Sequence, residues 1–317
     1  MTKIAVLDDY QGVAAHMADW SNLPSDCEVT FFNQWIDASN LINELEPFDV
    51  IAAMRERTVF GRQIIENLPN LKLLITTGMR NASIDLEAAR ESGVSVCGTS
   101  GSSYSTAELT WGLILSLARN IPLENTSIRS GKWQTSLGID LEGRTLGILG
   151  LGRLGGKVAN IGLSFGMSVI AWSQNLTADV ASMHKVKLVT KEQLFTDSDV
   201  LTIHLQLSDR TKGLVGAYEL GLMKESAYLI NTSRGPIVDN AALFNALRAK
   251  SIKGAGLDVF DSEPVSEADG FLNLDNTVLT PHLGYVTEEV YRIFYAETLE
   301  DILCWLAGDP VRILGGS

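Results

Sequence analysis

Short apolar runs alternate with longer amphipathic ones along the first hundred residues. The apolar runs stand at Ile4–Leu7, Val29–Phe32, Val50–Ala53, Leu73–Ile75 and Val94–Cys97. Between them, Leu41–Leu45, Gln63–Leu68 and Leu86–Glu91 space their apolar residues as helices do. Strands apolar on both faces and separated by helices predict a parallel sheet covered on both sides. The segment Gly98–Thr106 reads Gly-Thr-Ser-Gly-Ser-Ser-Tyr-Ser-Thr and marks a boundary and a candidate hinge. Ser105-Thr-Ala-Glu108 then has the form of a capping box, serine and glutamate satisfying free N–H groups at a helix start. The run Leu109–Ala118 carries Trp111, Leu113, Ile114, Leu115 and Leu117 and has hardly a polar face, which predicts a helix buried within a domain or between subunits.

A second series begins at Thr145. Strands are expected at Leu146–Leu149, Ser168–Trp172, Val186–Val189, Val200–His204, Ala227–Asn231, Gly256–Val259 and Val278–Thr280, with a last helix at Thr287–Ala307. The pattern as a whole predicts an α/β protein of two doubly wound parallel-sheet domains. No period of 20–50 residues repeats, so a solenoid is excluded.

Composition narrows the function classes. The chain has 317 residues, 45% of them apolar, and a formal charge of −13. Length and apolar content favour two globular domains. The acidic balance argues against a nucleic-acid or anionic-membrane binder, which needs basic patches. The start of the chain lacks the apolar core of a signal peptide, and no apolar run reaches the roughly 18 residues of a membrane span. Cys27, Cys97 and Cys304 are odd in number and far apart, and so form neither a disulfide framework nor a metal-ligand pair. A cytoplasmic, reduced, metal-free protein is expected.

Leu146-Gly-Ile-Leu-Gly150-Leu-Gly152-Arg153-Leu154-Gly155 places G-x-G-x-x-G after an apolar strand and ahead of a helix. Gly150 makes the tight turn, Gly152 lets backbone approach a pyrophosphate, and Gly155 lets helix pack on strand. The helix start supplies N–H groups and a positive dipole end, so dinucleotide binding is expected. The acid that would hold the ribose hydroxyls of NAD is missing: Trp172-Ser173-Gln174-Asn175 stands at the end of the second strand, and no arginine or lysine follows at once. Both NAD and NADP therefore remain open as cofactor.

Three later segments, Asn231-Thr232-Ser-Arg234-Gly, Leu257-Asp258-Val-Phe-Asp-Ser-Glu263-Pro and Pro281-His282-Leu-Gly284, resemble signatures of the D-isomer-specific 2-hydroxyacid dehydrogenase family. They fall in the family's order and near its spacing, and the likeness covers nearly the whole chain. It implies a Rossmann cofactor domain, residues 102–284, inserted into a flavodoxin-like substrate domain made of 1–101 plus 285–317, with the active site in the cleft between them. It also implies a homodimer through the cofactor domain, to which the apolar helix and the arm around Trp133 are suited. Arg234, Glu263 and His282 match the family's catalytic residues. Gly150, Gly152, Arg153, Leu154, Gly155, Ser173, Thr232, Asp258 and Gly284 fall at cofactor-binding positions, Asp258 near the nicotinamide carboxamide.

The chemistry of these residues agrees with that assignment. Oxidising a 2-hydroxy acid removes a hydroxyl proton while hydride leaves the same carbon, and histidine is the natural base near neutral pH. A carboxylate such as Glu263 stabilises its protonated form, and a planar cation such as Arg234 holds the substrate's carboxylate and carbonyl. Of the remaining histidines, His204 is expected in a satisfied core or edge role, and His16 and His184 on the surface.

The first half departs from the family. Its substrate loop resembles G-x-G-x-D-x-I-D, whereas Gly78-Met79-Arg80-Asn81-Ala82-Ser83-Ile84-Asp85 has Arg80 for the second glycine and Ala82 for the first acid. Met54-Arg55-Glu-Arg57-Thr58 resembles the family's Arg-x-x-Thr loop. Arg55, Met79 and Arg80 are thus candidate substrate-binding residues, and Arg55, Arg57 and Arg80 together would make a basic mouth suited to a second anionic group. The leading reading is an NAD(P)-dependent D-2-hydroxyacid dehydrogenase acting on a small-molecule 2-hydroxy or 2-keto acid, with neither nucleic acid nor membrane as partner. A dinucleotide-sensing, corepressor-like binding protein on the same fold is the alternative. Formate oxidation needs no acid–base His–Glu pair, so Glu263 and His282 argue against it.

Overall fold

Burial on both faces dictates the strands. All four residues of Val50–Ala53, of Leu73–Thr76 and of Val200–Ile203 are buried, as central strands of a parallel sheet require. The structure, a computed structural model, describes residues 1–102 and 104–315 and divides into two units, Met1–Ser102 with Thr287–Ser317, and Ser103–Val286. The expected hinge at Gly98–Thr106 spans Ser103, which lies outside the described residues.

The first unit holds β1 (Thr2–Val6), β2 (Cys27–Phe31), β3 (Val50–Ala53), β4 (Leu73–Thr76) and β5 (Ser95–Gly98), ordered β2-β1-β3-β4-β5 and all parallel. This is the flavodoxin-like order, with its reversal between β1 and β3. One face packs Leu7, Ile51, Ala53 and Leu74 against Leu45, Ile65 and Ala88 of the covering helices. Asp85 starts the helix Leu86–Glu91 by accepting from Ala88 N.

The second unit holds β6 (Thr145–Leu149), β7 (Ser168–Trp172), β8 (Lys187–Leu188), β9 (Val200–Ile203), β10 (Tyr228–Asn231), β11 (Gly254–Leu257) and β12 (Thr277–Leu279). The order is β12-β11-β10-β9-β6-β7-β8, all parallel, with the reversal between β6 and β9. Two apolar layers cover the sheet, one around Phe195, Leu201, Leu229 and Leu243, the other around Trp111, Ile114, Ile148 and Val158. Helix Arg153–Ser164 lies close on β6 because Gly162 has no side chain: a Cβ there would stand 2.5 Å from a Leu146 methyl.

Three expectations shift. The capping box at Ser105 does not form: the helix already runs from Tyr104 to Ala118, so Ser105 is buried inside its first turn. The strand expected at Val186–Val189 shortens to Lys187–Leu188, because Thr190 starts the next helix through a capping box with Gln193. His184 is half-buried rather than on the surface, its ring lying where a side chain on Gly156 would stand. Among the described residues no helix is long and apolar enough to cross a membrane, and no group of three or more His, Cys, Asp or Glu is placed to hold a metal ion.

Within the first unit the chain end returns to the sheet. Gly98 N donates to Arg312 O at 3.0 Å and Leu314 N to Val96 O at 2.7 Å, along the edge of β5. Arg312 holds this segment on helix Glu288–Leu306, donating to the buried Asp301 carboxyl at 2.9–3.0 Å and pairing with Glu300 at 2.7 Å. Burial pushes Asp301 up to about 7; Arg312 opposes the rise, and Glu297 and Glu300 add to it. A carboxyl raised in the fold keeps its proton where the unfolded chain has lost it. Its contribution to stability is therefore present below pH about 4 and declines as pH rises to about 7. Asp301→Asn is expected to flatten the fall of the urea midpoint between pH 4.5 and 7.5. Equal slopes in the two proteins would contradict this.

Candidate active site

Glycines shape the turn that follows β6 in the second unit. Gly150 follows β6 with φ +105°, and a Cβ there would collide with the His204 carbonyl at 2.8 Å. A Cβ on Gly155 would stand 2.2 Å from Gly150 O, so only glycine lets the helix start against the turn. Gly152 differs: it is the N-cap of helix Arg153–Ser164 at φ −99° and ψ −155°, and nothing lies within 4 Å of where its Cβ would be. The N–H groups of Arg153, Leu154 and Gly155 have no acceptor among the described residues. Open space facing uncapped donors at a helix start suits an anionic phosphate group. These residues therefore fit the dinucleotide that the glycine pattern implies. Ser173, at the end of β7, is half-buried, and Gln174 and Asn175 beside it are exposed.

Across the sheet reversal, the chain beyond β10, β11 and β12 carries the residues expected to act in acid–base chemistry. Asp258, fully buried, follows β11 and accepts from Thr280 Oγ1 at 2.6 Å, Leu283 N at 2.7 Å and Gly284 N at 2.9 Å. Burial raises its carboxyl, against the pull of these donors and of His282. A side chain on Gly284 would press on Asp258 Oδ2 at 3.2 Å, and Thr106 Oγ1 donates to Gly284 O at 2.7 Å. The loop after β12 is thus tied on both sides, and it carries His282 at φ +54°, a conformation costly for a residue with a Cβ.

His282 Nδ1 lies 2.6 Å from Glu263 Oε2, the ring edge-on to Tyr285 at 5.4 Å. Glu263 Oε1 accepts from Phe260 N at 2.9 Å, which aims the carboxylate. Burial alone would raise Glu263; the His282 hydrogen bond and charge, the Phe260 N–H and the Arg234 guanidinium outweigh it and hold the carboxyl below its usual range. His282 Nε2 makes no hydrogen bond among the described residues. The pair therefore has one nitrogen anchored and the other available for proton transfer.

Arg234 sits beyond β10 on backbone held by Asn231, whose Nδ2 donates to Arg234 O at 3.0 Å and whose Oδ1 accepts from Ser233 N at 3.0 Å. Gly235 lets this turn abut the Glu263 loop, since a Cβ there would meet Phe260 C at 2.2 Å. Thr232 is buried, its hydroxyl 2.9 Å from that of Thr110. His204 shares a 3.0 Å hydrogen bond with Thr202, and burial lowers it to about 4, which keeps it neutral. Thr106 and Thr110 are the contributors that sequence reasoning missed, since a hydroxyl inside an apolar helix carries no pattern of its own.

In the first unit, the structure assembles a second group at the strand ends. Arg55 Nη1 donates to Thr77 O at 3.1 Å and lies where a Cβ on Gly78 (φ +97°) would stand; its Nε is 3.6 Å from Glu56. Asn81, also missed, donates to Arg55 O at 2.6 Å and to Thr76 Oγ1 at 2.9 Å. Gly78 N donates to Thr99 Oγ1 at 2.9 Å, while the Met79 and Arg80 N–H groups have no acceptor among the described residues. Arg80 is exposed. Arg57 donates to Asp8 O at 2.9 Å and lies 4.7 Å over the Tyr10 ring. The expected basic mouth is thus modified: Glu56 pairs with Arg55, and Arg57 is held by the end of β1.

Comparisons with known proteins identify the family. Residues 111–284 match the family model described as D-isomer specific 2-hydroxyacid dehydrogenase, NAD binding domain. The chain is 37% identical over 273 residues to a D-3-phosphoglycerate dehydrogenase of Methanocaldococcus jannaschii, covering 85% of this chain but 52% of that protein, so it spans about half the length of that relative. It is 37% identical over 255 residues to a glyoxylate reductase of Aeropyrum pernix, covering 77% of this chain and 76% of that one. A crystal structure of a phosphoglycerate oxidoreductase from Vibrio cholerae superimposes with a TM-score of 0.92 at 35% identity, over 97% of this chain and 100% of the other. The chain belongs to the D-isomer-specific 2-hydroxyacid dehydrogenase family, and residues 111–284 are its NAD-binding domain.

Proposed function

We propose that the protein is an NAD(P)-dependent oxidoreductase interconverting small 2-keto acids and D-2-hydroxy acids. In this reading residues 103–286 form the cofactor domain and the other unit the substrate domain. The observation that carries it is the 2.6 Å contact between His282 and Glu263, with Arg234 near enough for its charge to act on Glu263. When bound, the nicotinamide supplies or takes the hydride. In reduction, His282 Nε2 gives its proton to the oxygen of the forming alkoxide; in oxidation the neutral ring takes it back. Glu263 keeps Nδ1 protonated and stabilises the charged ring. Arg234 polarises the keto group and holds the carboxylate; in the other unit, the N–H groups of Met79 and Arg80 are donors suited to a carboxylate.

The phosphates are assigned to Gly150, Gly152, Arg153, Leu154 and Gly155, the ribose to Ser173, and the nicotinamide end to Thr232, Asp258 and Gly284. The comparisons lend the dinucleotide-sensing alternative no support. A homodimer through the cofactor domain and a cytoplasmic location belong to the same proposal. For the dimer, the supporting observation is an apolar strip left exposed beyond the buried helix: Ile121, Leu123, Ile128, Trp133 and Leu137.

Four experiments test the reading. Gly152→Val fits the fold, since its backbone angles suit any residue and its Cβ meets nothing, so it should block NAD(H) and NADP(H) binding in a folded protein; unchanged calorimetric affinities would refute the phosphate assignment. Ser173→Asp should raise the ratio of kcat/KM for NADH over NADPH, a carboxylate favouring ribose hydroxyls and repelling a 2′-phosphate. An unchanged ratio would place position 173 away from the ribose. In pH–rate profiles of keto-acid reduction, Glu263→Gln should move the limb that falls with rising pH towards lower pH, because the imidazolium loses its anionic partner. His282→Ala should lower turnover by roughly 10²–10⁴ and leave cofactor affinity intact. Superimposable profiles, or near-wild-type turnover without His282, would defeat the acid–base assignment.

A further inference from the structure

Ligands of open parallel sheets gather beyond the carboxyl ends of the strands, where the strand order reverses. In the first unit that point lies between β1 and β3. The residues that follow those two strands meet there. Asp8 and Arg55 both hold left-handed backbone, at φ +58° and +53°, strain of the kind found at functional sites.

The cluster mixes signs. Asp8 is buried, and both its carboxylate oxygens accept: Oδ1 from Tyr10 OH at 3.0 Å, Oδ2 from Thr58 Oγ1 at 2.9 Å. Burial raises the Asp8 carboxyl; the hydrogen bonds from Thr58 and Tyr10, and the charge of the Arg57 guanidinium that donates to the Asp8 carbonyl and lies over the Tyr10 ring, oppose that rise. Asp9, also buried, accepts from Val13 N and Ala14 N and faces Tyr291 and Tyr295, which Arg57 also faces. Glu56 pairs with Arg55 at 3.6 Å. Arg55, Arg57 and the exposed Arg80 are therefore set against Asp8, Asp9 and Glu56.

We propose that this cluster determines specificity by charge compensation: Asp8 and Glu56 neutralise Arg57 and Arg55, so the site takes 2-keto acids carrying the reacting carboxylate alone and discriminates against those with a second, phosphate-like anion. This rests on the 2-keto acid reading and sharpens its substrate class. A guanidinium that already has a carboxylate beside it offers a phosphate little net attraction, while the incoming dianion meets the repulsion of the acids. A neutral hydroxyl at C3 meets neither difficulty, and Arg57 and Tyr10 present hydrogen-bonding groups to it. Tyr10 and Thr58 act as positioning residues, fixing the carboxylate that compensates Arg57.

The test compares kcat/KM for glyoxylate, hydroxypyruvate and 3-phosphohydroxypyruvate in the wild type, Asp8→Asn and Glu56→Gln. Asparagine keeps the shape and can still accept from Tyr10, and Glu56→Gln serves if Asp8→Asn does not fold. Circular dichroism and dinucleotide affinity, a property of the other unit, check integrity. The wild type should prefer hydroxypyruvate to its 3-phosphate. Each variant should raise kcat/KM for the phosphate relative to hydroxypyruvate by roughly fivefold, the effect of one unit charge about 8 Å from a dianion in a water-like medium. Glyoxylate, which carries a single negative charge, should gain by a smaller factor than the phosphate. A wild type that prefers the phosphorylated acid, or variants that leave the ratio unchanged, would overturn the proposal while leaving 2-keto acid reduction standing. Absence of turnover on all three acids would remove the parent reading as well.

Discussion

The buried carboxylate of Asp258 is the constraint on which the acid–base site depends. It follows β11, next to the edge strand β12, and gathers three donors from the chain after β12: a hydroxyl on Thr280 and the N–H groups of Leu283 and Gly284. Those contacts bracket His282 in sequence and hold it in a left-handed conformation that an unconstrained histidine would leave. Hydrogen bonds to a charged acceptor are roughly twice as strong as neutral ones, so three of them readily offset the backbone strain. Only with the loop so held does Nδ1 reach Glu263. Both Asp258 oxygens are occupied by this task, so its structural role precedes any role it has towards a cofactor.

Both units place their chemistry at the carboxyl ends of parallel strands, by different means. In the second unit glycines clear space: Gly150, Gly155 and Gly235 each stand where a side chain would meet backbone closer than 3 Å. In the first unit charged side chains fill it, with Arg55 packed on the Gly78 backbone and Arg57 on the end of β1. In the proposed reading, a cradle for phosphates needs vacant N–H groups, whereas a site that sorts small acids needs fixed charges of both signs.

Much of this was legible in the sequence because it depends on local patterns. Apolar runs of four or five residues marked most of the strands, and the strand–glycine–helix order marked the cradle before any relative was considered. Arg234, Glu263 and His282 stood out through their short motifs. What stayed hidden depends on side chains distant in sequence. Asp8 and Arg57 are 49 positions apart, and no pattern announces that an acid at the end of β1 will compensate an arginine after β3. The capping box at Ser105 misled because the signal is short and the chain was already helical one residue earlier. The missing acid at Ser173 is a real feature of the chain, but an exposed strand end leaves its consequence to chemistry outside the fold.

The central claim is that His282 protonates a keto oxygen while hydride arrives at the same carbon. The most direct measurement is NMR, with chiral chromatography, of the product formed from hydroxypyruvate with NADH and NADPH deuterated at C4, each in its two stereoisomers. The account predicts D-glycerate with deuterium at C2 from only one of the two stereoisomers. L-glycerate, a racemic product or no labelled product would contradict it.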